Sequence, residues 1–504
     1  MGEIIVIGAG VAGLAAAARL SRGGASVTVL ERSGVVGGAL GSGNDQGFDT
    51  GAHTLTMPAV FRDLFVKTGS RKASAKASFE DNVELRPVDP VRRYVFADGT
   101  RLDLPNSSRA RVLSTFDSAL GRGSGLSWFR AVEHGAAVWE LLRPAWFEAP
   151  RASSADLPSL LGARSAKYVV TPRSGLRKLA KSWFDDPRLG LLLDEYALGY
   201  GADPRRAPGI LAVAPYVEHA FGAWRIVGGL SSLTGALHRR ALARGVTFRL
   251  DCPVRQVTTA ADGSVDGVVL ADGSRLSADT VVAAVDTAQL AELTAAKGSP
   301  DKPKRSGAAE PEYSASVFTV LLRVPGAAEQ PHETVFFAGH DKAAVESRLE
   351  DTFGRRARPV AEPTIRVCVS QEHPECWSAH AYAPRHGSGP GAVDWSSPGL
   401  AVDYANTLVT QLVRRGALAA GAAEIVRVIS PLDRELATGV PGGSAYGPAA
   451  HDLHATLLRS PVAQPTPGLF HVGASARPGP GLPFAALSAW HLSELLNPPK
   501  ASRT

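Results

Sequence analysis

Apolar positions near the N-terminus predict a strand, a turn, a helix and a second strand in immediate succession. Residues 4–7 form an unbroken apolar run with the length of a buried strand. Small apolar side chains dominate residues 11–20, as expected for a tightly packed helix, and residues 26–30 return to the pattern of a strand. Two strands joined by a helix predict the beginning of a parallel α/β layer.

The turn between the first strand and the helix has the spacing G-x-G-x-x-G. Its first glycine permits a sharp turn, its second lets a pyrophosphate approach the backbone, and its third lets the helix pack close to the strands. The helix N-terminus offers free N–H groups to phosphates, and an acidic residue ending the second strand accepts hydrogen bonds from a ribose. We therefore predict a dinucleotide site at Gly8, Ala9, Gly10, Val11, Ala12, Gly13 and Glu31.

The rest of the chain predicts a helical stretch and two sets of strands. Residues 93–104 have the pattern of a hairpin with an Asp-Gly turn, and residues 109–198 carry apolar side chains at helical spacing. Further strands are predicted at 246–250, 254–257, 279–286, 316–322, 335–337 and 364–370, with a mobile loop at 298–311. Residues 265–273 predict a second Asp-Gly hairpin, and residues 468–475 predict a strand followed by a glycine turn and a helix. A helical layer rich in Trp and Leu can cover a long apolar ligand, although core packing accounts for most of these aromatics.

Length and composition narrow the class of protein. A chain of 504 residues, 44% of them hydrophobic, is long enough for two or more structural units and a large core. Its 54 basic and 48 acidic residues leave a net charge of +6 and form no dense basic block, so no nucleic-acid partner is expected. The mild positive charge leaves open contact with an anionic membrane, with an ordinary solvated surface as the favoured interpretation.

Neither disulfides nor a metal site is expected. Three widely spaced cysteines, Cys252, Cys368 and Cys376, form no disulfide or zinc pattern, which fits a reducing cytosol. His373, Cys376 and His380 share no known ligand spacing. No apolar run reaches about 18 residues, and the N-terminus lacks the basic region of a signal peptide. We expect a cytoplasmic protein, with peripheral contact at the inner face of the membrane as an alternative.

Several further motifs extend the first unit. They are Glu31-Arg32, Gly37-Gly38, an Asp-x-Gly-x-His spacing within 47–53, and the segments 214–218, 442–448 and 467–483. Together these motifs resemble the carotenoid (phytoene) desaturase branch of the FAD-dependent amine-oxidase-like superfamily, over essentially the whole chain. No second convincing G-x-G-x-x-G follows a predicted strand, so we expect no NAD(P)H site.

The resemblance implies an α/β fold in which a Rossmann-type FAD-binding domain is assembled from discontinuous segments. An inserted α+β substrate domain would include a helical layer that is a candidate for facing the membrane. The expected boundaries are 1–108, 226–290 and 466–504 for the FAD-binding domain, 109–225 for the mostly helical substrate or lid region, and 291–465 for the substrate domain with a mixed sheet.

The resemblance also implies FAD as cofactor and carries its binding positions onto this sequence. Beyond the glycine turn and Glu31, they are Arg32, Gly37, Gly38, Gly51, Ala52, His53, Val254, Gly473, Ala474, Leu482, Pro483 and Phe484. The implied reaction is a desaturation, in which a hydride passes from a hydrophobic substrate, a carotenoid or isoprenoid polyene above all, to flavin N5. With no nicotinamide site, oxygen or a membrane quinone is the expected electron acceptor.

Two departures from the family pattern bear on the substrate. Ala39 stands where the family has a basic residue, and Arg477 stands in place of a histidine, with Pro480 replacing a glycine. A fixed cation at Arg477 suits a carboxylate or enolate better than a hydrocarbon, and contact with a backbone carbonyl or with the flavin is the equal alternative. His53 and Arg477 are the candidate catalytic residues. His53 would act as a base or, in the favoured interpretation, as a hydrogen-bonding support.

Three functions follow as alternatives. The first is a polyene desaturase, and the second is a dehydrogenase or oxidase of a smaller acid or amine, which Arg477 favours. The third, a non-catalytic flavoprotein that carries isoprenoids, is disfavoured by the intact glycine motifs. Glu218 and His219, after a predicted strand at Tyr216, could face a cavity, but a surface pair is the favoured interpretation.

Overall fold

The computed structural model describes residues 2–40, 47–48, 54–69, 78–162, 175–295, 312–327 and 330–496. The predicted loop at 298–311 and three predicted site residues, Gly51, Ala52 and His53, lie outside the described residues.

Strands and helices alternate at the two ends of the chain. The strands are β1 (Glu3–Ile7), β2 (Ser26–Leu30), β3 (Leu85–Pro87), β4 (Arg92–Val95), β5 (Arg101–Leu104), β6 (Trp224–Ile226), β7 (Thr247–Arg249), β8 (Val254–Thr259), β9 (Val265–Leu270), β10 (Arg275–Ser277), β11 (Thr280–Ala283), β12 (Ser316–Arg323), β13 (Glu333–Phe336), β14 (Ile365–Val369), β15 (Cys376–Ala383), β16 (Arg385–His386), β17 (Ala392–Val393), β18 (Glu424–Ile429) and β19 (Leu469–His471). The α-helices are α1 (Val11–Leu20), α2 (Ala59–Thr68), α3 (Arg109–Leu120), α4 (Ser124–Leu142), α5 (Leu157–Gly162), α6 (Leu176–Trp183), α7 (Pro187–Gly199), α8 (Val213–Phe221), α9 (Ser231–Ala243), α10 (Thr287–Thr294), α11 (Lys342–Phe353), α12 (Leu400–Arg414), α13 (Pro431–Thr438), α14 (Leu453–Leu457) and α15 (Leu482–Leu496).

A five-stranded parallel sheet combines strands that are far apart in the sequence. Its order is β19-β11-β1-β2-β7, and Ile5 of β1 lies opposite Thr28 on one side and Val281 on the other. Helices α1, α9 and α15 pack together beside it, burying Leu14 and Leu492. Their apolar side chains stabilise the layer by leaving water. The predicted α/β fold, with its parallel layer assembled from discontinuous segments, is confirmed.

A seven-stranded mixed sheet forms the second layer. Its order is β18-β12-β15-β14-β13-β4-β5, and every neighbouring pair is antiparallel except β13 and β4. Side chains alternate between its faces. One face, which includes Phe318 and Ile365, packs against Leu408 of α12. The opposite face, which includes Val335, turns toward the helices α4 and α7, where it packs with Trp128 and Leu192.

The β4–β5 hairpin joins the seven-stranded sheet. β4 pairs in parallel with β13, with Arg93 opposite Thr334. The local pattern predicts the hairpin correctly, whereas its partner strand is remote in sequence. The domain boundaries, including the assignment of residues 1–108 to the first part of the FAD-binding domain, stay predictions.

The segment around Tyr216 is a helix rather than the expected strand. Val213 and Val217 are one helical turn apart and both are buried, which fixes the face that α8 turns inward. β-Branched residues favour strands, so the packing of the helix overrides their local preference here. Within the described residues, no helix combines the length and the apolar character needed to cross a bilayer.

Candidate active site

The glycine turn between β1 and α1 is built for close backbone approach. Gly8 has a φ of +99°, and a Cβ there would lie 2.8 Å from the carbonyl oxygen of Ala284, so no other residue fits without strain. Gly10 precedes α1 without a side-chain cap, which leaves the N–H groups of the first helical turn available to a ligand. Those N–H groups and the positive end of the helix dipole favour an anion.

Glu31, at the end of β2, is held against this turn. Its carboxylate accepts hydrogen bonds from the backbone N–H of Ala9 at 2.7 Å and from that of Ser33 at 3.0 Å. The side chain is buried, yet it lies on the wall of the cavity described below. Ala9 does not itself line the cavity. Its contribution is the backbone hydrogen bond that positions Glu31.

Gly37 and Gly38 bring a second loop against the turn. The N–H of Gly37 donates to the carbonyl oxygen of Ala9 at 2.9 Å, and Gly37 pairs with Gly10 as in a sheet. A Cβ at Gly38 would lie 3.1 Å from the Cα of Gly10, and its φ is +56°. The two loops touch through backbone alone, so no side chain fills the space beside the start of α1.

A cavity of about 850 Å³ connects this turn to the seven-stranded sheet. That volume is within the range of pockets that bind cofactors and small molecules. The predicted cofactor residues on its wall are Gly8, Gly10, Val11, Ala12, Glu31, Arg32, Gly37, Gly38, Val254, Gly473, Ala474, Leu482, Pro483 and Phe484. Apolar side chains, including Met57 just before α2 and Val217 of α8, line the same cavity. A dinucleotide site and a site for an apolar molecule therefore share one space.

The donor set at the dinucleotide end fits FAD. Uncapped N–H groups at α1 suit a pyrophosphate, the fixed carboxylate of Glu31 suits a ribose diol, and the glycine pair leaves room for both. At the C-terminal end of the site, the N–H of Gly473 donates to Ser488 Oγ at 2.9 Å, which fixes the turn after β19. Arg32 also lines the cavity, but its guanidinium donates to the carbonyl oxygens of Leu436 and Ala437 at the end of α13.

Five charged side chains form a network on the cavity wall. We call Arg92, Glu195, Glu218, Glu333 and Arg366 the charged cluster; all five line the cavity. Arg92 forms a close ion pair with Glu333 on the neighbouring strand, and its terminal nitrogen lies 3.5 Å from Glu218. Arg366 lies 3.1 Å from Glu195 and 3.5 Å from Glu333. The cluster links β4, β13 and β14 to α7 and α8.

Burial raises the pKa of a carboxyl group, whereas pairing with a guanidinium group lowers it, and both effects act in this cluster. Burial pushes the pKa of Glu333 upward, but Arg92 and Arg366 outweigh it and lower that pKa below its ordinary value. Burial raises the pKa of Glu195, despite the neighbouring Arg366. The two guanidinium groups therefore hold Glu333 in its ionised form.

Tyrosine hydroxyls complete the polar wall. Tyr196, Tyr200, Tyr382 and Tyr446 line the cavity. Burial raises the pKa of Tyr200 to about 12 and raises those of Tyr196 and Tyr382 further from the ordinary value. The hydroxyls of Tyr196, Tyr200 and Tyr382 stay protonated at neutral pH, and the Tyr196 hydroxyl donates a hydrogen bond to Glu218. The tyrosines thus add polar groups to the wall of the ligand space.

The structure corrects the expectation that Glu218 and His219 form a surface pair. Glu218 is buried on the inner face of α8 and lines the cavity. His219 packs beside Trp128, whose indole N–H donates to His219 Nε2 at 2.9 Å, and burial lowers the pKa of that histidine. The favoured interpretation treated this segment as a strand with an exposed pair, whereas the helix turns both side chains inward.

Arg477 is not one of the described residues that line the cavity. Its guanidinium stacks on Trp146, with Cζ 3.7 Å from the ring centroid, and donates to the carbonyl oxygen of Ala152. Burial lowers its pKa to about 10. Contact with a backbone carbonyl, one of the two interpretations that the sequence left open, describes this position. His53, the other catalytic candidate, lies outside the described residues.

The charged cluster was missed because its members come from five separate elements. The available signal is a charge inside an apolar strand: Glu333 precedes an apolar run in β13, and Arg366 interrupts one in β14. Such charges need buried partners, but a sequence does not say which ones. His380, considered above for a metal, lies on the cavity wall and contacts Thr319 at 2.9 Å. Among the described residues, no group of three or more potential ligands could hold a metal ion.

Comparison with known proteins identifies the family of the chain. The family model described as flavin containing amine oxidoreductase matches residues 11–358, more than half of the chain. Hydroxyneurosporene desaturase of Rubrivivax gelatinosus is 29% identical over 512 residues, covering 98% of this chain and 93% of that protein. A 4,4'-diapophytoene desaturase (4,4'-diaponeurosporene-forming) of Staphylococcus aureus is 25% identical and covers 97% of each chain. All-trans-zeta-carotene desaturase of Myxococcus xanthus is 29% identical, covering 73% of this chain and 68% of its own.

Solved structures share the fold. An oxidoreductase from Methanosarcina mazei superposes with a TM-score of 0.60 at 16% identity, and the match covers 98% of this chain and 100% of that chain. Wild-type putrescine oxidase bound to putrescine superposes with a TM-score of 0.59 at 15% identity, covering 98% of both. With the family match and the site geometry, the predicted cofactor is confirmed: the chain belongs to the flavin-containing amine oxidoreductase family and is an FAD-dependent oxidoreductase.

Proposed function

We propose that the enzyme desaturates an acyclic carotenoid polyene. The observation that carries the proposal is the similarity, over 98% of this chain, to a protein named hydroxyneurosporene desaturase. Two further relatives, named as desaturases of zeta-carotene and 4,4'-diapophytoene, support the same class of substrate. Fold similarity alone would not, because the fold also carries putrescine oxidation.

The chain's own residues supply binding, orientation and exclusion of water. The glycine turn, Glu31 and the segment at Gly473 would hold the cofactor, and bound FAD supplies a two-electron acceptor for a hydride from substrate carbon. Leu482, Pro483 and Phe484 begin α15 at the cavity wall. Their apolar surfaces suit a polyene and keep water from the reacting carbons.

An apolar layer from the helical region supports the long substrate. Trp139, Phe147, Val217 and Phe484 belong to one buried cluster that also contains Met57. Met57, Val217 and Phe484 reach the cavity, so this cluster continues to the ligand space. Whether the same layer contacts a membrane stays a proposal, as does a cytoplasmic location with peripheral attachment.

The catalytic roles are proposals as well. His53 stands in the Asp-x-Gly-x-His spacing and is a candidate base or hydrogen-bonding support. For Arg477, the contacts with Trp146 and Ala152 favour a structural role over direct contact with substrate. Oxygen or a membrane quinone is the proposed electron acceptor.

The charged cluster favours a second candidate, dehydrogenation of a smaller amine. A cationic amine would be attracted to Glu218 and Glu195, and a related fold is known with putrescine bound. This alternative explains the polar wall but not the similarity to desaturases along nearly the whole chain.

An anaerobic titration separates the two candidates. The purified holoenzyme is titrated with phytoene and related carotenes embedded in liposomes, and in parallel with aliphatic amines, while the flavin absorbance is followed. Bleaching by a carotene, with a matching gain of conjugated double bonds in the extracted product, supports the desaturase. Bleaching by amines alone overturns it.

A further inference from the structure

Arg434 of helix α13 is a cation on the cavity wall without a charged partner. Its Nε is buried and has no hydrogen-bond partner, and no carboxylate among the described residues forms an ion pair with its guanidinium. Burial lowers the pKa of Arg434 below its ordinary value, and the group that opposes this effect is Tyr446, a hydroxyl rather than a carboxylate. Such a guanidinium costs free energy unless a negatively charged ligand group compensates it.

The other arginines that line the cavity have their charges compensated or hydrated. Arg92 and Arg366 pair with carboxylates of the charged cluster. Arg32 donates to backbone carbonyl oxygens at the end of α13, and Arg255 is exposed to water. Among the arginines of the described cavity wall, Arg434 is therefore the one whose charge is balanced neither by the protein nor by bulk water.

The cavity-facing side of α13 borders the dinucleotide end of the site. Arg434, Ala437 and Thr438 recur at helical spacing and all line the cavity, so one face of the helix turns inward. The helix also contacts the short turn Gly38–Leu40, which lines the same cavity. The donors of Arg434 and the glycine pair therefore border one ligand space.

The turn Gly38–Leu40 in its own right adjoins the start of α1. A Cβ at Gly10 would lie 4.0 Å from the Cα of Gly38, and the uncapped N–H groups of α1 follow Gly10 directly. Those N–H groups favour an anion, yet residues 8–13 and the turn Gly38–Leu40 contain no cationic side chain. A cation that neutralises a pyrophosphate at this end of the cavity has to come from another element.

We propose that Arg434 is a cofactor-binding residue whose guanidinium donates hydrogen bonds to the pyrophosphate oxygens of bound FAD. A planar guanidinium with paired donors matches the geometry of phosphate oxygens. The cofactor thereby supplies the negative partner that the protein itself does not give to Arg434. Because the proposal concerns the cofactor, it goes beyond the proposed function and does not depend on which substrate is oxidised.

The test measures flavin binding to the apoenzyme by the change in flavin fluorescence. Arg434→Met should weaken FAD binding at least about tenfold, the size expected for a hydrogen bond between charged groups. Riboflavin lacks the phosphates, so its dissociation constant should not change. Arg434→Lys keeps the charge without the fork of donors and should recover part of the lost affinity. The control, Arg414→Met, removes an exposed arginine at the end of α12 and should bind FAD like the wild type.

Thermal unfolding of the same proteins separates cofactor binding from a structural role. Loss of an uncompensated charge should leave the Arg434→Met apoenzyme with an unfolding temperature equal to or above that of the wild type. Added FAD should then raise the unfolding temperature of this variant less than that of the wild type, because the cofactor binds it more weakly. An arginine that served packing alone would show the reverse, a less stable apoenzyme with an undiminished response to FAD.

Each contrary result overturns the inference. Unchanged FAD affinity in Arg434→Met would remove the residue from the cofactor site, and equal weakening of FAD and riboflavin would remove its contact from the pyrophosphate. If Arg434→Met folds poorly, Arg434→Lys still tests the idea, because it should weaken FAD binding and leave riboflavin binding unchanged. No carotene is used in these measurements, so their failure leaves the desaturase proposal intact. Failure of every carotene to bleach the flavin would likewise leave the assignment of Arg434 intact.

Discussion

The carboxylate of Glu31 accepts a hydrogen bond from the backbone N–H of Ala9 at 2.7 Å, which ties the end of β2 to the turn after β1. This contact places a fixed negative charge beside the start of α1, where the ribose of a bound dinucleotide is expected. Glu31→Gln should weaken FAD binding about tenfold, because a charge-assisted hydrogen bond becomes a neutral one. Equilibrium dialysis of the apoenzyme against FAD measures the effect. The exposed Glu84, changed to Gln, serves as control; equal losses in both variants would contradict the assignment.

Gly10 and Gly13 should respond differently to the same change. A Cβ at Gly10 meets nothing closer than 4.0 Å, so Gly10→Ala should leave the apoenzyme as stable as the wild type. It would nevertheless occupy the space of an approaching phosphate and reduce FAD affinity at least about tenfold.

Gly13→Ala supplies the contrast. A Cβ at Gly13 would overlap the carbonyl oxygen of Gly8, so this variant should lose stability even without cofactor. Thermal unfolding of both apoenzymes, with FAD titrations, distinguishes the two roles. Destabilisation of the Gly10→Ala apoenzyme to the same extent would show that Gly10 serves packing rather than cofactor binding.

Arg477 should contribute mainly to stability. Its stacking on Trp146 and its hydrogen bond to Ala152 predict that Arg477→Met lowers the free energy of unfolding by about 1–3 kcal/mol. FAD content should not change, and turnover by the folded fraction should fall less than about threefold, since a residue off the cavity wall makes no transition-state contact. A large loss of kcat with unchanged stability would instead support the catalytic role considered from the sequence.

His491 should make stability depend on pH. It is buried, its Nε2 lies 2.8 Å from the carbonyl oxygen of Phe147, and burial lowers its pKa to about 4. Because the unfolded value is about 6.5, the folded state resists protonation. The stabilisation is complete above about pH 6.5 and is lost as the pH falls toward 4, by up to about 3 kcal/mol.

Denaturant unfolding at pH 7 and pH 4 checks this effect. His491→Gln should unfold with a smaller difference between the two pH values than the wild type, whereas the exposed His454, changed to Gln, should keep the full difference. Carboxyl groups contribute to acid unfolding in all three proteins, so only the comparison isolates His491. Identical pH dependence in the wild type and His491→Gln would refute the role of its burial.

The dinucleotide site could be predicted from the sequence because its parts are local. Strand, glycine turn, helix and Glu31 fall within the first 31 positions, and each has its own physical signature. The hairpin at β4 was equally clear as a hairpin, but the sequence does not indicate which sheet it joins. Its partner Thr334 belongs to a strand that no short-range pattern connects to Arg93.

The charged cluster shows a second limit of prediction from the sequence. Arg92 and Glu333 become partners only because β4 and β13 lie side by side, and Glu218 joins them only because α8 is a helix. Because the segment of α8 was expected to be a strand, Glu218 was assigned to the surface rather than to the site. Arg477 was singled out by its departure from a family motif, but its surroundings depend on Trp146 and Ala152, which the motif does not contain.

The place of β19 in the parallel sheet has a consequence for biogenesis. β19 pairs with β11, and the turn after it supplies Gly473 and Ala474 to the cavity wall. A ribosome releases the glycine turn of β1 at the start of translation and β19 only near its end. During that interval the nascent sheet lacks an edge strand and α15 is missing from its apolar surface, so that surface stays exposed to water. We therefore expect flavin to be loaded only after the C-terminal segment has been made, and shortened polypeptides that end before β19 should accumulate without cofactor.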